Sequence, residues 1–208
     1  MHYFFGARKD GMRSDQMILP HEYLANKRIL FLYGAIYGMP MRTDIFGPSY
    51  IADTMLAMDS YDPKSPIYLV IDSEGGSVDD GLNLYDAIKT VSCPVYTIGR
   101  NCYSMAAVLL SAGEQGHRYI YSNSRVMLHL PSGQASGNSE EMAIQSTELN
   151  KTRDRLADIL VENSAGKVTK KKLLQHIKYE KWMNAQETID YGIADKFVGK
   201  GFFAELKR

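Results

Sequence analysis

Short apolar runs of strand length alternate with amphipathic stretches along the first two thirds of the chain. Residues 67–71 (Ile-Tyr-Leu-Val-Ile) have no polar face, which is typical of a strand buried on both sides in a parallel sheet. Residues 78–88 instead repeat apolar side chains every three or four positions, which predicts a helix. The pattern as a whole predicts strands over 28–33, 67–71, 95–98, 118–121 and 125–128, helices over 17–25, 49–60, 78–88 and 105–112, and a loop over 34–48.

This alternation of strands and helices favours an α/β fold, in which right-handed βαβ units build a largely parallel sheet. A long helix is then predicted over 139–163, followed by shorter helices over 169–176 and from a capping-box pattern at 184–187 to Gly192. The first half of the long helix is mostly polar. A helix half that buries no apolar stripe lies on solvent or on another subunit.

With 208 residues, 45% of them apolar, the chain is long enough for one well-buried domain. We predict a single domain over 17–208, preceded by a flexible arm over 1–16 that lacks the apolar stretch of a targeting peptide. Lysine plus arginine equals aspartate plus glutamate at 24 each, so no basic surface favours a nucleic-acid partner. No apolar run approaches the roughly 18 residues of a membrane span, so no membrane partner is predicted.

The cysteines and histidines limit which kinds of functional site the sequence allows. Cys93 and Cys102 make no disulfide framework, which fits a reducing compartment. We therefore predict a cytoplasmic protein, or one inside an organelle after processing. Cysteines and histidines lack the spacing of a metal site, and no nucleotide-binding pattern follows Gly75 and Gly76. No metal and no cofactor are predicted.

Ser104 lies between a predicted strand and a predicted helix. A serine at such a turn exposes its hydroxyl, and the unpaired backbone N–H groups at the start of the helix face the reacting carbon. That geometry suits a nucleophile with an oxyanion hole, although a plain N-cap serine would occupy the same position. Cys102, two residues earlier, is a rival nucleophile that we interpret as a packed small residue.

His129 follows the apolar strand 125–128 and precedes a Gly- and Ser-rich segment, residues 131–137. A histidine at a strand end beside a polar segment fits a general base at the edge of a site. It also fits a hydrogen-bonded structural histidine. Gly75 and Gly76 stand between a strand and a helix, where glycine lets a backbone N–H approach a ligand closely or simply makes a tight turn.

Taken in order, four stretches of the chain resemble the Clp protease proteolytic subunit family. They are the glycine-rich loop 71–78 (Ile-Asp-Ser-Glu-Gly-Gly-Ser-Val), the serine turn 103–106 (Tyr-Ser-Met-Ala), the histidine strand 124–131 (Ser-Arg-Val-Met-Leu-His-Leu-Pro) and the segment 182–195. The resemblance covers roughly residues 17–198. It implies the spiral of βαβ units that this family shares with the enoyl-CoA hydratases, with a helix–strand handle protruding around residues 131–163.

The resemblance implies a serine endopeptidase of an ATP-dependent protease, which cleaves unfolded polypeptides by acyl-enzyme chemistry. Ser104 would be the nucleophile, His129 the general base, and the backbone N–H groups of Gly76 and Met105 the oxyanion donors. It also implies a barrel of two stacked heptamers, homo- or hetero-oligomeric, whose rings meet through the handles. An AAA+ unfoldase would dock on the outer face, and substrates would bind as an added strand.

The sequence departs from the family pattern at the third member of the triad. Alignment on residues 182–185 places Glu180 where the family has an aspartate. A glutamate holds an imidazole as an aspartate does, but its extra methylene moves the carboxylate by about one C–C bond. An exposed charge is the other interpretation of Glu180. Lys178 and Tyr179 replace charges that pair across rings in the family, and Glu74 replaces a proline.

Other functions stay open on the sequence alone. The altered acid and ring contacts are compatible with a weak or inactive ring subunit that assembles with an active paralogue. An acyl-CoA enzyme on the related fold is disfavoured, because such enzymes work through oxyanion donors and glutamates rather than a serine–histidine pair. A relative of the membrane-anchored signal-peptide peptidases is disfavoured too, because those enzymes use a serine–lysine pair.

Overall fold

The computed structural model describes residues 20–37 and 45–206. The predicted flexible arm, residues 1–16, and part of the predicted loop, residues 38–44, lie outside them. In chain order the elements are α1 Pro20–Ala25, β1 Ile29–Ile36, α2 Pro48–Tyr61, β2 Ile67–Gly76, α3 Val78–Thr90, β3 Val95–Tyr103, α4 Met105–Ser111, β4 Arg118–Ile120, β5 Arg125–Leu128, α5 Ser139–Asn163, α6 Lys170–His176, β6 Lys181–Asn184, α7 Ala185–Tyr191, β7 Lys196–Phe197 and α8 Phe202–Glu205.

The strands form one mostly parallel sheet, which confirms the predicted α/β fold. Strands β1, β2, β3, β4 and β7 lie side by side in that order, all parallel. Strand β5 pairs in parallel with the end of β3, where Met127 lies beside Tyr103, and β6 pairs antiparallel with β5. The residues that follow β3 and β5, Ser104 and His129, therefore meet at the carboxyl edge of the sheet, where α/β folds carry their sites.

Helix α4 is buried along its whole length, from Met105 to Ser111. It packs against β2, β3, α3 and α5, and its small residues Ala106 and Ala107 allow close approach. A helix with apolar side chains all round belongs in a core. Because α4 is fixed on every side, the residue at its N-terminal end, Ser104, has a fixed position in the fold.

Three strands are longer than the apolar runs that predicted them. Strand β1 extends to Ile36 through a bulge between Tyr33 and Ala35, and Ile36 pairs with Gly76. The glycine-rich segment is therefore the paired end of β2 rather than a loop, and the predicted loop begins at least three residues too early. These strand ends are held by main-chain hydrogen bonds, which do not depend on the pattern of apolar side chains.

Helix α5 spans the predicted residues, and its two halves differ as expected. Residues 132–151 are exposed throughout, whereas Ala157 and Leu160 in the second half are buried. Residues 131–138 form neither helix nor strand. The strand half of the predicted handle is therefore not formed, since none of the described strands, β1 to β7, pairs with this segment.

Arg118 joins the C-terminal elements to the sheet from a fully buried position. Its Nε donates to Asp195 Oδ2 at 2.8 Å, and its Nη1 donates to the carbonyls of Asn163 at 2.6 Å and Gly192 at 2.9 Å. Burial alone would raise the pKa of Asp195, but the hydrogen bonds and charge of Arg118 outweigh it and hold that pKa below the usual value. The ends of α5 and α7 are thus tied to β4 by one guanidinium.

Candidate active site

Ser104 has a backbone conformation that is rare for a residue with a side chain, with φ 56° and ψ −123°. A positive φ outside glycine is a strained geometry that tends to mark functional sites. The N–H of Ser104 donates to Met127 O at 2.8 Å, which fixes the turn against β5. Ser104 occupies the N-cap position of α4, but its hydroxyl makes no capping hydrogen bond. The side chain does not act as a helix cap.

The Ser104 hydroxyl and the His129 imidazole are within hydrogen-bond distance. Nε2 of His129 lies 2.8 Å from Oγ of Ser104, across 25 positions of sequence. This distance is that of a nucleophile and its general base. The structure therefore brings together the two side chains that the sequence singled out.

Gly75 lies directly against this serine. Gly75 has φ 89°, and a Cβ there would lie 2.8 Å from Cβ of Ser104 and 3.0 Å from N of Met105. The N–H of Gly75 is bonded to Ser73 Oγ at 3.1 Å. The sequence singles out both glycines for close approach to a ligand and assigns the oxyanion role to Gly76; the packing of Gly75 against Ser104 is a finding of the structure.

The two predicted oxyanion donors sit at the ends of β2 and β3. Ser77 N–H donates to Ile36 O at 2.7 Å, and successive N–H groups of a strand face opposite sides, so Gly76 N–H points away from β1. Met105 is the first residue of α4, where backbone N–H groups have no intrahelical acceptor. The role of these two N–H groups as oxyanion donors stays a prediction.

Cys102 is not a competing nucleophile. The side chain is fully buried, and its Sγ lies 3.5 Å from Ile71 O. Burial raises the pKa of this thiol far above its usual value, and the Asp72 charge raises it further. The interpretation of Cys102 as a packed small residue is confirmed.

Glu180 stands opposite His129 in the sheet but does not bond it. The β5–β6 ladder ends at the pair Leu128–Lys181, so the next position sets His129 against Glu180. Beyond it, Leu130 N–H donates to Ile177 O at 3.2 Å, and residues 178–180 therefore bulge opposite a single histidine.

The Glu180 carboxylate is bonded to another partner. Its Oε2 accepts a hydrogen bond from Nε1 of Trp182 at 3.0 Å. Within residues 20–37 and 45–206, no group hydrogen-bonds Nδ1 of His129. The predicted contact between Glu180 and His129 is thus not formed in this structure, in which the carboxylate takes the indole donor of Trp182, two residues along the chain.

Two hollows flank the serine–histidine pair. An open cleft of about 550 Å³ is lined by His129, Leu130, Lys178, Tyr179, Glu180 and Trp182. A small pocket of about 30 Å³ lies beside Ser104, and apolar side chains of α3, α4, β5 and α5 make most of its wall. Arg153 is the charged residue at this pocket and is itself paired with Asp154.

Two further kinds of feature are absent from the described residues. No helix among residues 20–37 and 45–206 is both long and apolar enough to cross a membrane. In the same part of the chain, no three histidine, cysteine, aspartate or glutamate side chains are grouped as metal ligands.

Comparison with known protein families agrees with the fold. The sequence model of the Clp protease family matches residues 12–201, which include the glycine pair, the serine turn, the histidine and the bulge. This match extends over nearly the whole chain. The chain therefore belongs to the Clp protease family, a family of peptidases.

Proposed function

We propose that this chain is a serine endopeptidase subunit that cleaves unfolded polypeptides through an acyl-enzyme. The observation that carries the proposal is the 2.8 Å distance between Nε2 of His129 and Oγ of Ser104. The strained backbone of Ser104 and the tight packing of Gly75 behind it support the same assignment. Structural serines have no need of either feature.

The chemistry follows from the placement of four groups. Ser104 Oγ attacks the peptide carbonyl carbon while His129 Nε2 takes its proton. The N–H groups of Gly76 and Met105 stabilise the oxyanion, and His129 returns the proton to the leaving amine. A water molecule activated by the same imidazole then hydrolyses the ester. Removal of one oxyanion donor in such sites typically lowers kcat by about 100-fold or more.

The pocket beside Ser104 supports a preference for small apolar side chains at the residue whose carbonyl is attacked. Its volume is about 30 Å³, and its apolar walls include Met105, Val108 and Leu156. A site of this size holds a side chain such as alanine or valine better than a larger one. The adjoining extended segment 131–137 would flank the substrate backbone as an added strand.

The exposed half of α5 supports assembly into two stacked heptamers. Met142, Ile144 and Leu149 are apolar yet exposed, Ile144 to 63%, and apolar groups clustered on one exposed element favour burial against another subunit. Such a barrel would receive unfolded chains from an AAA+ unfoldase in cytoplasmic protein quality control.

Reaction with a fluorophosphonate probe tests the nucleophile. Wild-type protein should be labelled and should cleave a fluorogenic peptide, whereas Ser104→Ala should do neither. Ser146→Ala, an exposed serine on α5, is the matched control and should behave as wild type. A Ser104→Ala protein that still cleaves the peptide would refute the assignment.

One observation favours a second candidate, a weak or inactive ring subunit. The Glu180 carboxylate bonds Trp182 rather than His129, so no carboxylate of residues 20–37 or 45–206 orients the imidazole. Under this alternative the pure protein would assemble into rings on size-exclusion chromatography, yet it would remain unlabelled by the fluorophosphonate.

A further inference from the structure

Trp182 is held in place by two neighbours on one face of the sheet. Its ring lies edge-on to Tyr103, with centroids 5.1 Å apart, and the Arg125 guanidinium lies 4.7 Å from the ring centroid. Such contacts stabilise an aromatic ring at a part-exposed position. The donor on the indole is therefore presented from a fixed place.

The register puts this donor beside the Ser104–His129 pair. Met127 pairs with Trp182, and side chains two positions apart on a strand share a face. His129 and Glu180 follow directly where this ladder ends, at the pair Leu128–Lys181, one step beyond the pair Met127–Trp182. His129, Glu180 and Trp182 all line the open cleft of about 550 Å³, so the carboxylate has room to move.

The Glu180 carboxylate thus has two donors close by, the indole N–H and Nδ1 of His129. Glu180 and His129 line the same cleft and directly adjoin the last ladder pair, Leu128–Lys181, so a glutamate side chain that turns within this cleft can approach the imidazole. In this structure the carboxylate takes the indole, at 3.0 Å. One rotation of the glutamate side chain would exchange one donor for the other.

We propose that Trp182 is a positioning residue: its N–H holds the Glu180 carboxylate away from His129, and loss of that bond lets the carboxylate accept from Nδ1 of His129. The inference rests on the proposed peptidase function of Ser104 and His129. Once bonded, the carboxylate fixes the tautomer that directs Nε2 to Ser104 and stabilises the imidazolium formed during attack. Trp182 acts only through Glu180 and does not touch the reacting atoms.

A double-mutant cycle tests this coupling. Trp182→Phe removes the N–H and keeps a ring, so kcat for a short fluorogenic peptide should rise about two- to tenfold, with little change in KM. The same substitution in a Glu180→Gln background should have no effect. Tyr61→Phe, at an aromatic residue that is 91% exposed on α2, is the control and should match wild type. An unchanged kcat, or an equal change with and without Glu180, would overturn the inference.

Fluorescence supplies a second measurement that does not depend on the Trp182 variant. Trp182 is the one tryptophan of the chain, so its emission reports the indole environment directly. Modification of Ser104 by a fluorophosphonate mimics the tetrahedral intermediate and should draw Glu180 to His129, which shifts the emission. Glu180→Gln protein should show no such shift upon modification. An emission spectrum that modification leaves unchanged in wild-type protein contradicts the proposal.

The two hypotheses fail in different ways. If wild type and Ser104→Ala are labelled equally fast, the proposed function is wrong. If labelling depends on Ser104 but Trp182→Phe and Glu180→Gln act independently, only the role of Trp182 is wrong. If wild type is not labelled, the proposal requires that Trp182→Phe be labelled, and a variant that stays unlabelled overturns both.

Discussion

Gly75 packs against Ser104 so closely that its position excludes any side chain. A Cβ on Gly75 would lie 2.6 Å from Tyr103 O and 2.8 Å from Cβ of Ser104, both well inside van der Waals contact. The end of β2 therefore forms the wall behind the nucleophile. Any residue larger than glycine at this point has to displace the turn that carries Ser104.

Gly75→Ala should abolish labelling of Ser104 by a fluorophosphonate while leaving a folded chain. The control is Gly166→Ala, since Gly166 has a similar φ of 81° but nothing within 4 Å of an added Cβ. Gly166→Ala should lose about 1–2 kcal/mol of unfolding free energy in urea from backbone strain alone, and Gly75→Ala should lose more, because its added Cβ also meets backbone atoms. Only Gly75→Ala should lose reactivity; equal labelling of the two would show that the contact is unimportant.

Leu156→Ala should widen the pocket beside Ser104 and change which peptides are cleaved. Because Leu156 is one of the pocket walls, its truncation makes space for a larger side chain at the residue before the cleaved bond. The ratio of kcat/KM for leucine over alanine peptides should rise about tenfold. Leu56→Ala, at an exposed position on α2, should leave the ratio unchanged.

Both thiols should resist modification until the chain unfolds. Cys93 and Cys102 are buried, and burial raises the pKa of each, so neither forms an accessible thiolate. Titration with a colorimetric disulfide reagent should detect no fast thiol in the native protein and two in guanidinium chloride. Rapid reaction of either cysteine in the folded state would contradict this placement.

The pairing of Asp195 with Arg118 should make stability depend on pH. The pKa of Asp195 is lowered in the folded chain, so its contribution is present above the unfolded value of about 3.9 and is lost as pH falls through the folded value. Asp195→Asn leaves a buried guanidinium without its counterion and should cost about 3 kcal/mol or more at neutral pH. That difference should shrink below about pH 4 in urea titrations at fixed protein concentration.

An exposed ion pair provides the control for this measurement. Asp158 bonds Lys170 at 2.7 Å, with both side chains open to solvent. Asp158→Asn should therefore cost less than about 1 kcal/mol, with little dependence on pH. A cost equal to that of Asp195→Asn would mean that burial is not what matters at Arg118.

The sequence predicted the elements of this fold better than their ends. The apolar run 67–71 marks β2 because both faces of that strand are buried, and the capping-box pattern at 184–187 marks a helix start that the structure confirms. Apolar periodicity gave no sign that β2 continues to Gly76. Those residues pair through the backbone with Ile36, and backbone pairing is indifferent to side-chain type.

The sequence predicts the parts of the site that depend on the order of strands along the chain. It does not predict the parts that depend on side-chain rotamers. The meeting of Ser104 and His129 follows from two parallel strands that end at the same edge. The bond between Glu180 and Trp182 does not follow, since a glutamate opposite a histidine has two donors to choose from. Residues 178–180 bulge there and follow no regular pattern, so the sequence does not show which donor the Glu180 carboxylate takes.

The strained backbone of Ser104 lowers the stability of the fold, and interactions elsewhere in the chain have to compensate for it. Glycine would adopt φ 56° with little penalty, so a Ser104→Gly chain should be the sturdier protein although it lacks the hydroxyl. A screen of variants for thermal stability alone would therefore favour variants that have lost the Ser104 hydroxyl. Engineering of this protein for thermal stability therefore requires a measurement of Ser104 reactivity on every selected variant.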